Sequence, residues 1–437
     1  LPPSAELARP DTPRDLADRP ARIDALEAGS RQVDTAALWT LLMVVFINLL
    51  GFGIIVPLLP FYAQSFHATS WQVALLFSAY SIGSFFGEPF WGRLSDRIGR
   101  KPLLLSTISA NCLCYLALAF APNIGVAFAV RLLGGAAAGN GSVVQGYIAD
   151  VTAPQDRAGR MALLGAAYNL GFIVGPSMGG LLARPAEGPA GFRLPLLVAS
   201  ALAAASVCLI GVFVRESRQR RVVVGKEPGR WAMTARAVRH PMLSRLMLVT
   251  FLAGVAFTAV EATFGFWGAY RFHWTPRQIG FVFFFVGIVA VAAQSQLTGR
   301  LSRRYGEARM LAIGMAVTVC ATALQPWSTG FAMTTFLMAL MAAGQSVAFP
   351  NVAALISRAA DADHQGQFLG LNNATGALAR VAGPMAGQLM FANVSANGPF
   401  ILAACVALPT ILLPLTVSQG KEKLGGPCRS PQTPRHL

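Results

Sequence analysis

The chain has 437 residues, of which 54% are hydrophobic and only 12% charged, and its mean hydropathy is +0.53. A soluble domain carries roughly 25% charged residues, so this composition excludes an ordinary water-soluble enzyme or binding module. The net charge of +16 raises nucleic acid as a partner, and only the distribution of the bases can decide that question.

In chain order, residues 1–35 are polar, with Arg, Asp and several prolines mixed. They read as a disordered cytoplasmic tail rather than a signal peptide. Apolar stretches of bilayer-spanning length, about 17–25 residues, then run at 37–61, 74–92, 102–121, 124–149, 161–183 and 193–214. After a basic stretch from Arg215 to Arg245 they resume at 243–269, 277–298, 308–325, 329–356, 366–391 and 398–417. The expected fold is therefore all-α and integral to the membrane, with twelve transmembrane helices in two six-helix bundles around a central cavity. The bundles occupy 36–217 and 242–418, joined by a linker at 218–241 and followed by a cytoplasmic tail at 419–437. Connections on one side are minimal, such as Pro122-Asn123-Ile124-Gly125, so no catalytic or receptor domain is expected there.

The bases follow that topology. With both termini inside, 29 of the 35 Lys and Arg fall on the cytoplasmic side, four lie outside, and Arg131 and Arg380 lie within spans. This is the positive-inside pattern; charge reports orientation, and no nucleic-acid partner is expected. The six cysteines show neither a disulfide framework nor zinc spacing. No Walker A string, H-E-x-x-H, nucleophile elbow or EF-hand loop occurs, so neither ATP-driven transport nor enzymatic catalysis is expected.

An eight-residue string occurs twice, 207 positions apart: Gly92-Arg93-Leu94-Ser95-Asp96-Arg97-Ile98-Gly99 and Gly299-Arg300-Leu301-Ser302-Arg303-Arg304-Tyr305-Gly306. Gly175-Pro176 returns as Gly383-Pro384 at nearly the same offset. Two matches at one offset mean a tandem duplication of half the chain, and parallel repeats of this kind build membrane transporters. The first copy continues through Arg100, Lys101 and Pro102. It resembles the G-x-L-x-D-R-x-G-R-(R/K) signature of the major facilitator superfamily. That resemblance makes Gly92, Asp96, Arg97, Gly99 and Arg100 a conformational latch, with Asp96 accepting from a helix start in the other half. Arg303 replaces the acid in the second copy, so the latch is expected to be one-sided.

Span 5 carries Gly171-Phe172-Ile173-Val174-Gly175-Pro176-Ser177-Met178-Gly179-Gly180. Gly171, Gly175 and Gly179 make a flat face for close helix approach, and Pro176 removes a helical hydrogen bond. With Gly180, the string resembles the G-x-x-x-G-P-x-x-G-G motif of drug:proton antiporters in that superfamily. Tyr147-Ile148-Ala149-Asp150-Val151-Thr152, followed by Arg157 and Gly165, is similar to a segment of tetracycline-resistance-type efflux proteins. Those proteins typically carry Asp in span 1 where this chain has Asn48, so proton coupling is expected to rest on other residues.

Four ionisable residues fall within spans: Glu88, Arg131, Glu261 and Arg380. A charge at the bilayer centre costs at least about 2.5–3.5 kcal/mol, so each should face protein or a water-filled cavity. Arg131 resembles the arginine of the family's R-x-x-Q-G motif, with Gly134 in place of Gln. Desolvation lets a carboxyl group hold a proton more readily, which makes Glu261 and Glu88 proton-coupling candidates with Arg131 and, at the cytoplasmic edge, Asp150. Glu88 also lies near enough to a helix end to snorkel, and Arg380 sits equally well as a structural or a substrate residue. Asn48, Tyr80, Asn140, Gln145, Tyr168, Phe264, Gln294, Asn372, Asn373 and Arg380 are the candidate lining of a mixed apolar-polar substrate cavity.

The expectation is a monomeric secondary transporter in the bacterial inner membrane, in contact with lipids and a small-molecule substrate. It uses no cofactor beyond the proton and exports an amphipathic drug-like compound by antiport. Export of a sugar or other metabolite and, more remotely, a non-transporting receptor or scaffold are the alternatives.

Overall fold

The computed structural model describes residues 35–138, 141–152, 157–217, 239–359 and 365–413. The expected tails, the centre of the 218–241 linker and Asn140 lie outside the described residues, as do the side chains of Asp96 and Arg157.

Among the described residues the chain runs as a succession of helical rods. In the first half, α1 (Thr35–Ile55) continues through the turn Val56–Leu58 into Leu59–Gln64. It is followed by α2 (Ser70–Ile98), α3 (Arg100–Ala119), α4 (Ile124–Ala138, resumed as Gly141–Val151), α5 (Arg157–Leu182) and α6 (Arg193–Phe213). The second half repeats the scheme as α7 (Pro241–Phe272), α8 (Pro276–Ala292), α9 (Glu307–Leu324), α10 (Phe331–Ala359), α11 (Gln365–Asn393) and α12 (Gly398–Ala407). A π-helical stretch, Ala293–Thr298, and the helix Gly299–Tyr305 prolong α8.

Eight of these rods are long and apolar enough to cross a membrane. The long rods that fall short are α2, α5 and α11. These helices meet the opposite half of the molecule, where neighbours rather than lipid satisfy polar groups. The remaining rod, α12, is apolar but shorter, continuing to Leu413.

Packing repeats as the sequence does. α1 lies on α5 and α6, α2 on α4, and α3 on α4 and α6; correspondingly α7 lies on α11 and α12, α8 on α10, and α9 on α10 and α12. Each half encloses its own hydrophobic core, one around Leu41, Leu59, Leu104 and Tyr147, the other around Trp267, Leu311, Phe368 and Phe400. Backbone details recur as well. Phe66-His67-Ala68-Thr69 and Phe272-His273-Trp274-Thr275 precede equivalent helices, and both histidines adopt left-handed backbone at φ 54. At the starts of α2 and α8, the amides of Thr69 and Thr275 donate to Gln72 Oε1 and Gln278 Oε1 at 2.8 and 2.9 Å.

The halves join along two seams, α5 with α8 and α2 with α11. On α5, the glycine face lies on the backbone of α1: Gly171 against Phe46 and Leu50, Gly175 against Leu50 and Gly53, Gly179 against Ile54. The adjoining face of the same helix meets α8, where Gly280 abuts Pro176 and Ser177, Gly287 abuts Ile173, and Gly180 abuts Pro276. Across the other seam Ser78 Oγ donates to the Val381 carbonyl at 3.0 Å. At the end remote from residues 35 and 413, Gly265 of α7 packs on Pro60 and Phe61.

A Cβ at Gly175 would stand 2.7 Å from both Gly53 Cα and the Leu50 carbonyl oxygen. Backbone cannot rotate away as a side chain does, so Gly175→Ala must separate α1 from α5. The expected result is destabilisation of about 1–3 kcal/mol, read as a lower melting temperature of the purified protein. An unchanged melting temperature would show that the close approach is dispensable.

Candidate functional site

Two cavities flank the seams. The first, of about 360 Å³, is lined mainly by the first half: Asn48, Phe52, Tyr80, Ser84, Glu88, Asn111 and Tyr168, with Arg380 reaching in from α11. The second, of about 350 Å³, is lined mainly by the second half: Phe257 and Glu261 of α7, Phe283, Val286, Gly287 and Ala290 of α8, and Met338 to Pro350 of α10. Asn169 and Phe172 of α5 complete it from across the seam, beside Gln294 of the π-helical stretch.

The in-membrane charges are brought together. Glu88 and Glu261 sit in different halves and different cavities, and Arg380 is within electrostatic reach of both. One guanidinium thus acts electrostatically on a carboxyl group in each half. Arg131 lies apart, only 4% exposed. Its guanidinium stacks 4.6 Å from the ring centroid of Tyr80, inside cation–π range, and its Nε finds no hydrogen-bond partner among the described residues. Tyr80 lines the first cavity, whereas Arg131 does not.

Other expected residues fall in different places. Asn48 lines the first cavity and donates from Nδ2 to the Val44 carbonyl at 2.9 Å. Phe264 does not line a cavity; it is fully buried among Trp267, Trp274 and Phe283, one layer behind the wall. Asn372 accepts from the Thr250 hydroxyl at 2.7 Å, tying α11 to α7. Gln145 is exposed and borders neither cavity, and Asn373 is exposed as well. Among the described residues no cluster of His, Cys, Asp or Glu is placed to hold a metal ion.

At the basic loop, Gly99 stands between α2 and α3 at φ 110, a backbone setting that favours glycine. Arg100 reaches Asp150 of α4 at 3.2 Å and also contacts Ser95. Asp150 is therefore an ion-pair partner of the loop, and Ser217 donates to the same carboxylate at 3.3 Å. Arg97 is exposed, and the Ser95 hydroxyl donates to the Gly92 carbonyl at 2.7 Å. Glu216, just past α6, accepts from the amides of Arg100 and Lys101 at 2.8 and 3.1 Å. Those are the first free amides of α3, so a carboxylate there caps the helix and meets the positive end of its dipole.

Sequence reasoning did not single out Glu216, Asn169 or Gln345. The α10 wall does carry a visible signal, since Met338, Met341, Ala342, Gln345, Ser346 and Phe349 recur at helical spacing. A lone amide within that apolar face marks Gln345.

The family profile described as Major Facilitator Superfamily matches residues 41–295 and 246–427. This chain belongs to the major facilitator superfamily. It is 30% identical over 360 residues to the class C tetracycline resistance protein of Escherichia coli, covering 80% of this chain and 88% of that protein. It is 26% identical to multidrug resistance protein 2 of Bacillus subtilis, covering 84% and 92%. Among solved structures, the human organic anion transporter MFSD10 (TETRAN) matches with a TM-score of 0.67 at 24% identity, covering 87% of this chain and 99% of that one. A bacterial homologue of the human lysosomal transporter Spinster, inward-facing and occupied, gives 0.72 at 12% identity, covering 90% and 98%. At such identities these structures establish the fold alone. The protein is a multi-pass membrane transporter of this superfamily, and the relatives are transporters rather than enzymes.

Because Glu216 caps α3 beside the superfamily's signature loop, Glu216→Ala should cost about 0.5–2 kcal/mol, the usual worth of a cap. Glu216→Gln, which keeps an acceptor oxygen, should lose less. Thermal melting of both purified variants checks this, and equal melting of Ala, Gln and parent would refute the capping role.

Proposed function

We propose that the protein exports an amphipathic drug-like compound from a bacterial cytoplasm, across the inner membrane, by proton-coupled antiport. The observation that carries this reading is the pair of carboxyl groups, Glu88 and Glu261, lining separate cavities on opposite halves and sharing one counter-ion, Arg380. A static bundle needs no such arrangement, because burying each charge is costly. A transporter does, because protonating one carboxyl changes the charge that Arg380 and the other carboxyl see. The similarity to tetracycline and multidrug resistance proteins supports drug-like cargo.

In this reading the halves rock along the α5–α8 and α2–α11 seams. With both termini cytoplasmic, the end where Gly265 meets Pro60 and Phe61 is the outer one. The conformation is then closed outside, and both cavities drain inward. A proton enters on Glu261 when the outer end opens and leaves as inward hydration returns. Arg131 biases the first half through Tyr80, and Asp150 steadies the cytoplasmic loop. A monomer suffices, since both cavities are built from one chain.

Two measurements test this. Expression in a pump-deficient host should raise resistance to some members of an antibiotic panel, and dissipating the proton gradient should abolish that protection's drug efflux. In vesicles with an imposed pH gradient, Glu261→Gln should remove the gradient-driven part of substrate movement. If this variant still concentrates substrate as the parent does, Glu261 is structural and the proton site belongs at Glu88.

A further inference from the structure

Several buried polar atoms have no hydrogen-bond partner among the described residues, Gln345 Nε2 of α10 being one. Three others belong to the packing of α3 against α4 in the first half: Arg131 Nε, Asn111 Oδ1 and Tyr115 Oη. Their residues are 4%, 5% and 4% exposed, and buried polar groups are almost always satisfied. Asn111 and Tyr115 stand four residues apart on α3, so they share one helix face. Gly134, one turn beyond Arg131 on α4, turns towards that face. A Cβ there would sit 3.7 Å from Asn111 Oδ1 and 3.3 Å from Cys114 Cβ. Arg131 and Tyr115 are within electrostatic reach of each other.

The charge at this place is uncompensated. Arginine keeps its proton even when buried, and a buried ion without a partner is costly. Among the described residues, the titratable groups that act on Arg131 are Tyr80 and Tyr115, and no carboxyl group is one of them. Glu88 and Arg380 line the first cavity, as Tyr80 and Asn111 do, but they interact with each other rather than with Arg131. The Tyr80 ring, 4.6 Å from the guanidinium, offsets only a small part of the cost.

We propose that the first half binds a small monovalent inorganic anion, chloride in the cell, beside Arg131. Arg131 Nε and the Tyr115 hydroxyl donate to it. A half-turn of the Asn111 amide puts Nδ2 where Oδ1 stands and adds a third donor. Water would satisfy the same atoms yet leave the positive charge unbalanced; the anion does both. Two packed helices and two tyrosine rings enclose the place, which suits a small ion better than an organic carboxylate. Because Asn111 and Tyr80 also line the first cavity, the ion enters from there and steadies that wall. The site is independent of the export reading.

The test is equilibrium binding of radiolabelled chloride to the full-length protein in lipid nanodiscs, with gluconate holding ionic strength constant. The parent should bind chloride saturably, bromide and nitrate should displace it, and gluconate should not. Replacing gluconate by chloride should also raise the parent's melting temperature, since an ion that binds only the folded state stabilises it. Arg131→Gln should abolish binding and melt alike in both salts. Tyr115→Phe, which removes only the hydroxyl, should weaken binding by about tenfold or more, the worth of a hydrogen bond to a charged group. If Arg131→Gln misfolds, Tyr115→Phe and the anion preference of the parent still decide. The proposal is overturned if the parent shows neither saturable binding nor chloride-dependent melting, which would leave water alone at the site. It is equally overturned if Arg131→Gln binds as the parent does while Arg380→Gln does not, or if Tyr115→Phe binds unchanged. Benzoate displacing chloride as well as bromide does would assign the place to carboxylated organic compounds and overturn it too. No transport is measured, so failure here spares the export reading, and failure of export spares this site.

Discussion

The close backbone approach of α5 to two helices at once is the constraint on which the architecture depends. Gly171, Gly175 and Gly179 let α5 lie on α1 within its own half, while Pro176, Ser177 and Gly180 let the adjoining face lie on α8 of the other half. Lipid offers no hydrophobic driving force between helices, so small residues and close packing must supply the attraction. A helix that can be approached on two faces becomes the shared wall of the two halves. The second cavity exists because α5 ends its glycine contact with α8 near Ile173 and Gly287, leaving Asn169 and Gln294 to span the opening.

That geometry explains where the charges stand. Polar and ionisable groups avoid lipid-facing surfaces and collect along the helices that meet the opposite half. α2 contributes Glu88, α7 Glu261 and α11 Arg380, so the two seams bring a carboxyl from each half toward one guanidinium. The coupling is electrostatic and needs no direct contact, because the surroundings screen poorly compared with water. Arg131 is held differently, stacked on Tyr80 and outside the cavity lining, so its influence passes through a ring that is itself part of the wall.

The duplication shows which features packing preserved and which diverged. Helix pairings, helix-start glutamines and left-handed histidines recur in both halves. They solve the same local problem twice. The basic loops differ: Arg100 is clamped by Asp150, and Glu216 caps α3, whereas in the second copy Arg303 reaches back to the Gly299 carbonyl at 3.1 Å. The cavities differ too, the first richer in tyrosine and asparagine, the second in phenylalanine and methionine. One framework therefore offers a polar face and an aromatic face to the centre of the molecule.

Much of this was legible in the amino-acid order alone. The two repeats, the membrane class, the glycine face of span 5 and the ionisable residues within spans are all properties of local spacing and composition, which a linear chain states directly. Adjacency between distant segments is not. That Arg380 serves both Glu88 and Glu261, that Phe264 stands behind the wall instead of in it, and that Glu216 caps a helix 116 positions earlier depend on which helices meet. The orphaned amide of Gln345 is likewise invisible in sequence, where any mid-span glutamine could find a neighbour. Periodicity determines which face of a helix is buried; only the packing of several helices decides which buried polar group is left without a partner.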